Sequence, residues 1–145
     1  MATIRVERRI AADPTGTALL LAGQTALDLW PGVTRLAPAP PGHVLVEARV
    51  PALRARAARV AVQAAPPRRL PTSYVTAFRF AGDLPATEGT VTLTRSWSGE
   101  RPATTAELAL TWEGGDARLA AALRAMAHGF LANLADAAEE RSFAA

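Results

Sequence analysis

The segment GDARLAAALRAMAHGFLANLADAAEERS (residues 115–142) is the one long stretch of this sequence with helical periodicity. Its apolar residues recur at three- and four-residue steps, the spacing of one face of an α-helix. This stripe consists of Leu119, Leu123, Met126, Ala127, Phe130, Leu134 and Ala138. Asp116 is suited to cap the first turn. A helix of about 26 residues spans about 39 Å, so the stripe must cover a long apolar surface elsewhere in the chain.

Upstream of this helix the hydrophobic residues follow a period of two, which is typical of half-buried strands. The predicted strands are residues 3–10, 33–38, 43–50, 58–64, 73–80, 90–97 and 106–112. Their connections are too short for parallel crossovers, so we expect an antiparallel sheet. Between the first two strands, ALLLAGQ (18–24) and TALDLW (25–30) predict two short helices, the first capped by Asp13 or Thr15. Strands with helices segregated to one face indicate the α+β class.

Composition narrows the classes of function. The 145 residues fit one domain, residues 1–145, with a net charge of +3 and no cysteine, and we expect a cytoplasmic protein without disulfides or thiol chemistry. No apolar run approaches the roughly 20 residues that span a bilayer, so membrane insertion is not expected. The basic side chains are all arginine, clustered at 54–59 and 66–69 but mixed with acids and without interleaved aromatics. Nucleic-acid binding is therefore not expected either.

In its order of elements the chain resembles the START-like helix-grip superfamily, the SRPBCC group that includes polyketide cyclases. Five segments carry the resemblance: IRVERRIAADPTGTALLLAG (4–23), LDLWPGV (27–33), TEGTVTLTRSW (87–97), TTAELALTW (104–112) and LRAMAHGFLANLADAAEE (123–140). The resemblance implies a helix-grip fold, in which a curved antiparallel sheet of about six to seven strands wraps the long helix and leaves a hydrophobic cavity.

The resemblance also implies a function. A polyketide cyclase/aromatase would orient a hydrophobic, carbonyl-rich substrate in the cavity, without a cofactor. The alternative is a non-catalytic carrier or sensor of an apolar or aromatic ligand. A third interpretation is an interaction subunit that docks a partner through its arginine-rich surface. A homodimer remains open.

Two polar residues of the predicted strands are candidate catalytic groups. Arg95 shares its face with Leu93 and Trp97, and a buried guanidinium requires a carboxylate partner or a ligand oxygen. Tyr74 shares an apolar face with Phe78 and would present a hydroxyl to a ligand. The alternatives are that Arg95 extends to water at the sheet margin and that Tyr74 bonds a backbone carbonyl.

The candidate ligand-binding residues are mostly aromatic, and core packing is the alternative for each. They are Trp30, Thr76, Phe78, Phe80, Trp97, Trp112, Met126 and Phe130. His43, Arg8 and His128 are weaker candidates, because His43 starts a strand, Arg8 lies near a strand end and His128 lies off the apolar stripe. The sequence has no metal-ligand spacing, so no metal is expected. Gly129 interrupts the helix pattern and would allow close packing or a slight bend.

Overall fold

The computed structural model describes residues 1–38, 42–50 and 57–144. The strands are β1 (Ala2–Ile10), β2 (Val33–Pro38), β3 (His43–Arg49), β4 (Ala57–Ala64), β5 (Arg68–Arg69), β6 (Ser73–Gly82), β7 (Thr87–Ser98) and β8 (Arg101–Trp112). The helices are α1 (Pro14–Leu19), a 3-10 helix (Gln24–Leu29) and α2 (Ala117–Ala144). The predicted turn between the second and third strands lies largely outside these residues, as does most of the arginine cluster at 54–59.

The strands form one antiparallel sheet in the order β1-β8-β7-β6-β4-β3-β2, with β5 paired to β6. The predicted α+β helix-grip fold is confirmed, with β5 as an additional two-residue strand. None of the predicted strands includes β5, because the prolines around it interrupt the alternating pattern and conceal its pairing with β6. Strands β7 and β8 are also longer than predicted, since they form a continuous hairpin whose turn contains Gly99 at a φ of 64°.

The first helical segment is shorter than its sequence pattern indicates. Asp13 is the cap, because its Oδ1 accepts a hydrogen bond of 2.7 Å from the Thr15 amide. Helix α1 ends at Leu19 rather than continuing through residue 24, and Gly23 then adopts a φ of 78°. This left-handed conformation suits glycine and separates α1 from the 3-10 helix.

Helix α2 lies on the sheet with its apolar stripe buried, as its periodicity predicts. Asp116 caps it, since Oδ1 accepts hydrogen bonds of 2.9 Å from the Arg118 amide and 3.4 Å from the Leu119 amide. The helix packs chiefly along the edge strand β1, where Glu139 Oε1 accepts a 3.0 Å hydrogen bond from the Ala11 amide. The concave face of the sheet is therefore covered closely at the β1 side.

A second contact fixes the 3-10 helix against α2. Asn133 Nδ2 donates a 2.7 Å hydrogen bond to the Leu29 carbonyl, and the Trp30 ring stacks on Phe130 with centroids 4.6 Å apart. Between these contacts a Cβ on Gly129 would lie 2.7 Å from Pro31 Cγ. Gly129 thus permits the close approach of α2 and the Trp30–Pro31 segment, one of the two roles predicted for it.

We expect Gly129→Ala to lower the free energy of unfolding, although alanine favours a helix over glycine by about 1 kcal/mol. The added methyl group would overlap the rigid Pro31 ring and push the Trp30 segment away. Urea unfolding measures the difference, with Ala125→Gly at an exposed position of the same helix as the control for intrinsic propensity. A gain in stability for Gly129→Ala would show that the contact with Pro31 is loose.

Candidate functional site

A cavity of about 530 Å³ lies between the concave face of the sheet and α2. Its floor is formed by β3, β4 and β6, and its opposite wall by α2 through Leu123, Met126 and Phe130. Leu21 and residues of the 3-10 helix close a further side. Since protein interiors are packed with few voids larger than a water molecule, a cavity of this size is a distinct feature of the fold.

The aliphatic part of the wall comes from β3 and β4. Val44, Val46 and Ala48 alternate along β3, and Val60 and Val62 alternate along β4. The alternating pattern predicts both strands, but none of these residues is among the predicted site residues. Their alternation shows which face they share, and a period of two cannot show whether that face meets a helix or a void.

The aromatic part of the wall is built around Trp30. Its ring stacks on Phe130 of α2 and meets Phe78 of β6 edge-on, with centroids 6.0 Å apart. Phe78 pairs across the strands with Gly89, and a Cβ at Gly89 would overlap the Phe78 ring. The missing side chain therefore lets this ring lie close to the sheet, and Trp30 bridges sheet and helix beside the cavity.

Thr76 is a polar residue in this largely apolar wall. It is 6% exposed, and its Oγ1 is buried without a hydrogen-bond partner among the described residues. The other buried threonines in the described part of the chain, Thr17, Thr87 and Thr104, each donate their hydroxyl to a backbone carbonyl. An unpaired buried hydroxyl lowers the stability of the fold by about 1–3 kcal/mol. Thr76 differs from the other three buried threonines because its hydroxyl has no partner among the described residues and its side chain lines the cavity.

His43 is the second polar side chain on the cavity wall. It begins β3 and is half-buried. The sequence predicts His43 at the start of a strand, where the structure also has it. No arginine, aspartate or glutamate of the described residues lines the cavity, so the wall carries no permanent charge there.

The two predicted catalytic residues do not line the cavity. Arg95 Nη2 lies 3.8 Å from Asp13 Oδ2, and both side chains are about half exposed. The Tyr74 hydroxyl is 3.0 Å from Thr15 Oγ1. Both residues therefore contact the start of α1 and hold it against β6 and β7. Their catalytic roles stay predictions.

Six of the eight predicted ligand-binding residues line the cavity, and two do not. Those on the wall are Trp30, Thr76, Phe78, Phe80, Met126 and Phe130. Trp97 is 56% exposed near the β7–β8 turn, and Trp112 is buried outside the cavity with its Nε1 unpaired within the described residues. His128 and Arg8 are exposed. Buried and exposed residues alternate along β7 only as far as Leu93, so Trp97 near the strand end is exposed although its parity matches Leu93.

Two further findings concern other kinds of site. Across the described ranges, no group of three or more His, Cys, Asp or Glu side chains is arranged to hold a metal ion. No helix in those ranges is both long and apolar enough to cross a membrane. The homodimer stays an open possibility, and the cytoplasmic location stays a prediction.

The sequence and the structure were compared with those of known proteins. No family model and no curated protein matches the sequence. Among solved structures, a conserved protein from Geobacillus kaustophilus is similar with a TM-score of 0.68 and 7% identity, covering 96% of each chain. The Zhui aromatase/cyclase from Streptomyces sp. R1128 is similar with a TM-score of 0.66 and 15% identity, covering 97% of this chain and 95% of its own.

A START superfamily protein from Mycobacterium smegmatis is also similar, with a TM-score of 0.63 and 10% identity over 95% of this chain and 97% of its own. At such low identities the comparisons concern architecture alone. Each of these matches extends over at least 95% of both chains, so the similarity covers the sheet and the helices together. The chain has the START-like helix-grip fold.

Proposed function

We propose that this protein binds a hydrophobic or aromatic small molecule in the cavity between the sheet and α2. The observation that carries the proposal is the cavity itself, about 530 Å³ in volume and lined mainly by aliphatic and aromatic side chains. Ligand sites in proteins typically measure about 300–1,000 Å³ and combine an apolar lining with a few polar groups.

The side chains of the wall favour a ligand-binding cavity over a void left by imperfect packing. Trp30, Phe78 and Phe130 hold one another by ring contacts at the cavity, and such rings offer large rigid surfaces to an apolar ligand. An empty apolar cavity destabilises a fold in proportion to its volume. A ligand would recover part of that free energy by restoring contacts with the wall.

We expect Val62→Phe to abolish binding of the neutral dye Nile red, because Val62 lies on the β4 wall and a larger ring there would occupy the cavity. The matched control is Ala61→Phe, whose side chain lies on the opposite face of the same strand. Fluorescence titration measures dye affinity, and native mass spectrometry of the purified protein tests for a ligand that has remained bound.

Equal dye binding by the wild type and both variants would contradict the proposal, since the dye would then bind outside the cavity. Loss in both variants would point to misfolding, and thermal unfolding separates that outcome from a blocked site. Only loss in Val62→Phe with retention in Ala61→Phe supports the cavity as the binding site.

The second candidate function is cyclisation of a carbonyl-rich substrate, as in a polyketide cyclase/aromatase. The similarity to the Zhui aromatase/cyclase over 97% of this chain favours it. A cavity that holds a flexible chain in one conformation removes much of the entropic barrier to ring closure. His43 would be the proton-transfer group on the wall itself, whereas Arg95 and Tyr74 would act from the α1 side.

If the protein is a cyclase with Arg95 as a catalytic group, Arg95→Ala abolishes turnover of a poly-β-ketone substrate. The melting temperature should fall by no more than about 3 °C, because an exposed ion pair such as Arg95–Asp13 contributes only about 0–1 kcal/mol. Product analysis by chromatography measures turnover, and His43→Ala is the comparison. Normal turnover in Arg95→Ala with loss in His43→Ala would place the chemistry at the cavity wall.

A further inference from the structure

We infer that the ligand is an uncharged aromatic molecule bearing a hydroxyl or carbonyl oxygen, and that Thr76 anchors this oxygen by a hydrogen bond. The inference rests on the proposed function, because it assigns chemistry to a ligand of the same cavity. Three observations carry it: the unpaired Thr76 hydroxyl, the absence of charge on the described wall, and the position of the aromatic rings.

The first observation is the hydroxyl of Thr76. The residue lines the cavity and is 94% buried, at 6% exposure, with no partner for Oγ1 among the described residues. Its neighbour along the strand face, Tyr74, does not satisfy it, because the Tyr74 hydroxyl is paired with Thr15. Folding thus buries a polar group and leaves its hydrogen bond unmade, which is rare in proteins.

The geometry of a threonine side chain allows a ligand to use this group. The hydroxyl, the methyl group and a hydrogen all branch from Cβ, so a change of χ1 by about 120° moves the hydroxyl into another staggered position, such as the one that the methyl group held. Because Thr76 lines the cavity, such a rotation can turn the oxygen toward a bound molecule. A ligand oxygen would then complete the hydrogen bond that the protein leaves unmade.

The second observation concerns charge. The described cavity wall contains no arginine, aspartate or glutamate, and the sequence has no lysine. Arg95 lies off the wall and is paired with Asp13. A ligand carboxylate would lose its hydration without gaining a permanent countercharge. An uncharged oxygen, which a single hydrogen bond satisfies, matches the site better.

The third observation places the aromatic part of the ligand. Phe78 follows Thr76 by two residues on the same face of β6, and its ring meets Trp30 edge-on. Aromatic rings favour offset or edge-to-face contacts with other rings. A fused aromatic ligand can therefore lie against Phe78 and Trp30 while its oxygen reaches Thr76, which lies two residues before Phe78 on the same face of β6.

The experiment compares naphthalene, 2-naphthol and 2-naphthoate by isothermal titration calorimetry at pH 8, with the wild type, Thr76→Val and Thr76→Ser. Thr76→Val preserves the shape of the side chain and removes the hydroxyl. We expect it to weaken 2-naphthol binding about two- to tenfold, the range for one net hydrogen bond, and to change naphthalene binding less than about twofold. Thr76→Ser should retain 2-naphthol binding, and 2-naphthoate should bind the wild type at least about tenfold more weakly than 2-naphthol.

The outcomes separate this inference from the proposed function. If naphthalene and 2-naphthol bind the wild type but Thr76→Val changes neither or weakens both equally, the cavity binds apolar molecules and Thr76 is not the anchor. If 2-naphthoate binds as tightly as 2-naphthol, the ligand is not restricted to uncharged molecules. If no probe binds and Val62→Phe leaves Nile red binding unchanged, both the inference and the proposed function are wrong.

Thermal unfolding of the unliganded protein provides an independent test. Thr76→Val should raise the melting temperature, because it removes a buried hydroxyl that has no partner. Thr104→Val is the matched control and should lower it, since the Thr104 hydroxyl donates a 2.7 Å hydrogen bond to the Ala12 carbonyl. A lower melting temperature for Thr76→Val would show that its hydroxyl is already paired and would overturn the inference.

Discussion

The rest of the structure depends on how α2 buries its apolar stripe against a sheet that is wider than the helix. The helix packs closely along β1, so the strands farthest from β1 need another cover. The Trp30 segment reaches α2 from the other side and is fixed there by the Phe130 stack and the Asn133 hydrogen bond. The space between these two attachments is the cavity. It follows from the geometry of one helix on a broad curved sheet.

Sequence periodicity predicts the larger part of this arrangement. The period of two places Val44 and Val46 on one face of β3 and Val60 and Val62 on one face of β4, and the three- and four-residue steps give the stripe of α2. For this reason Thr76, Phe78, Phe80, Met126 and Phe130 are predicted on the face that lines the cavity, whereas Trp30, which also lines it, is predicted for its large ring alone. Periodicity describes one element at a time, however, so it cannot give the distance between two elements that face each other.

The same limit explains the positions of the predicted catalytic residues. Arg95 has the parity of Leu93, yet its guanidinium lies half exposed beside Asp13, in the part of β7 where buried and exposed residues no longer alternate. Tyr74 shares a face with Thr76 and Phe78, but its hydroxyl reaches Thr15 of α1. The alternation of residues along each strand predicts the face of the sheet on which a side chain lies. The length of the strand and the placement of α1 determined what each residue meets there.

The contact between Gly89 and Phe78 has a consequence for how this cavity can change during evolution. Gly89 does not line the cavity, yet its missing Cβ gives the Phe78 ring the space it occupies against the sheet. A larger residue at position 89 would displace that ring and so change the aromatic wall of the cavity. The shape of the cavity therefore depends on a residue that does not line it. In a related chain, a substitution at such a position could change the cavity while every wall residue stayed the same.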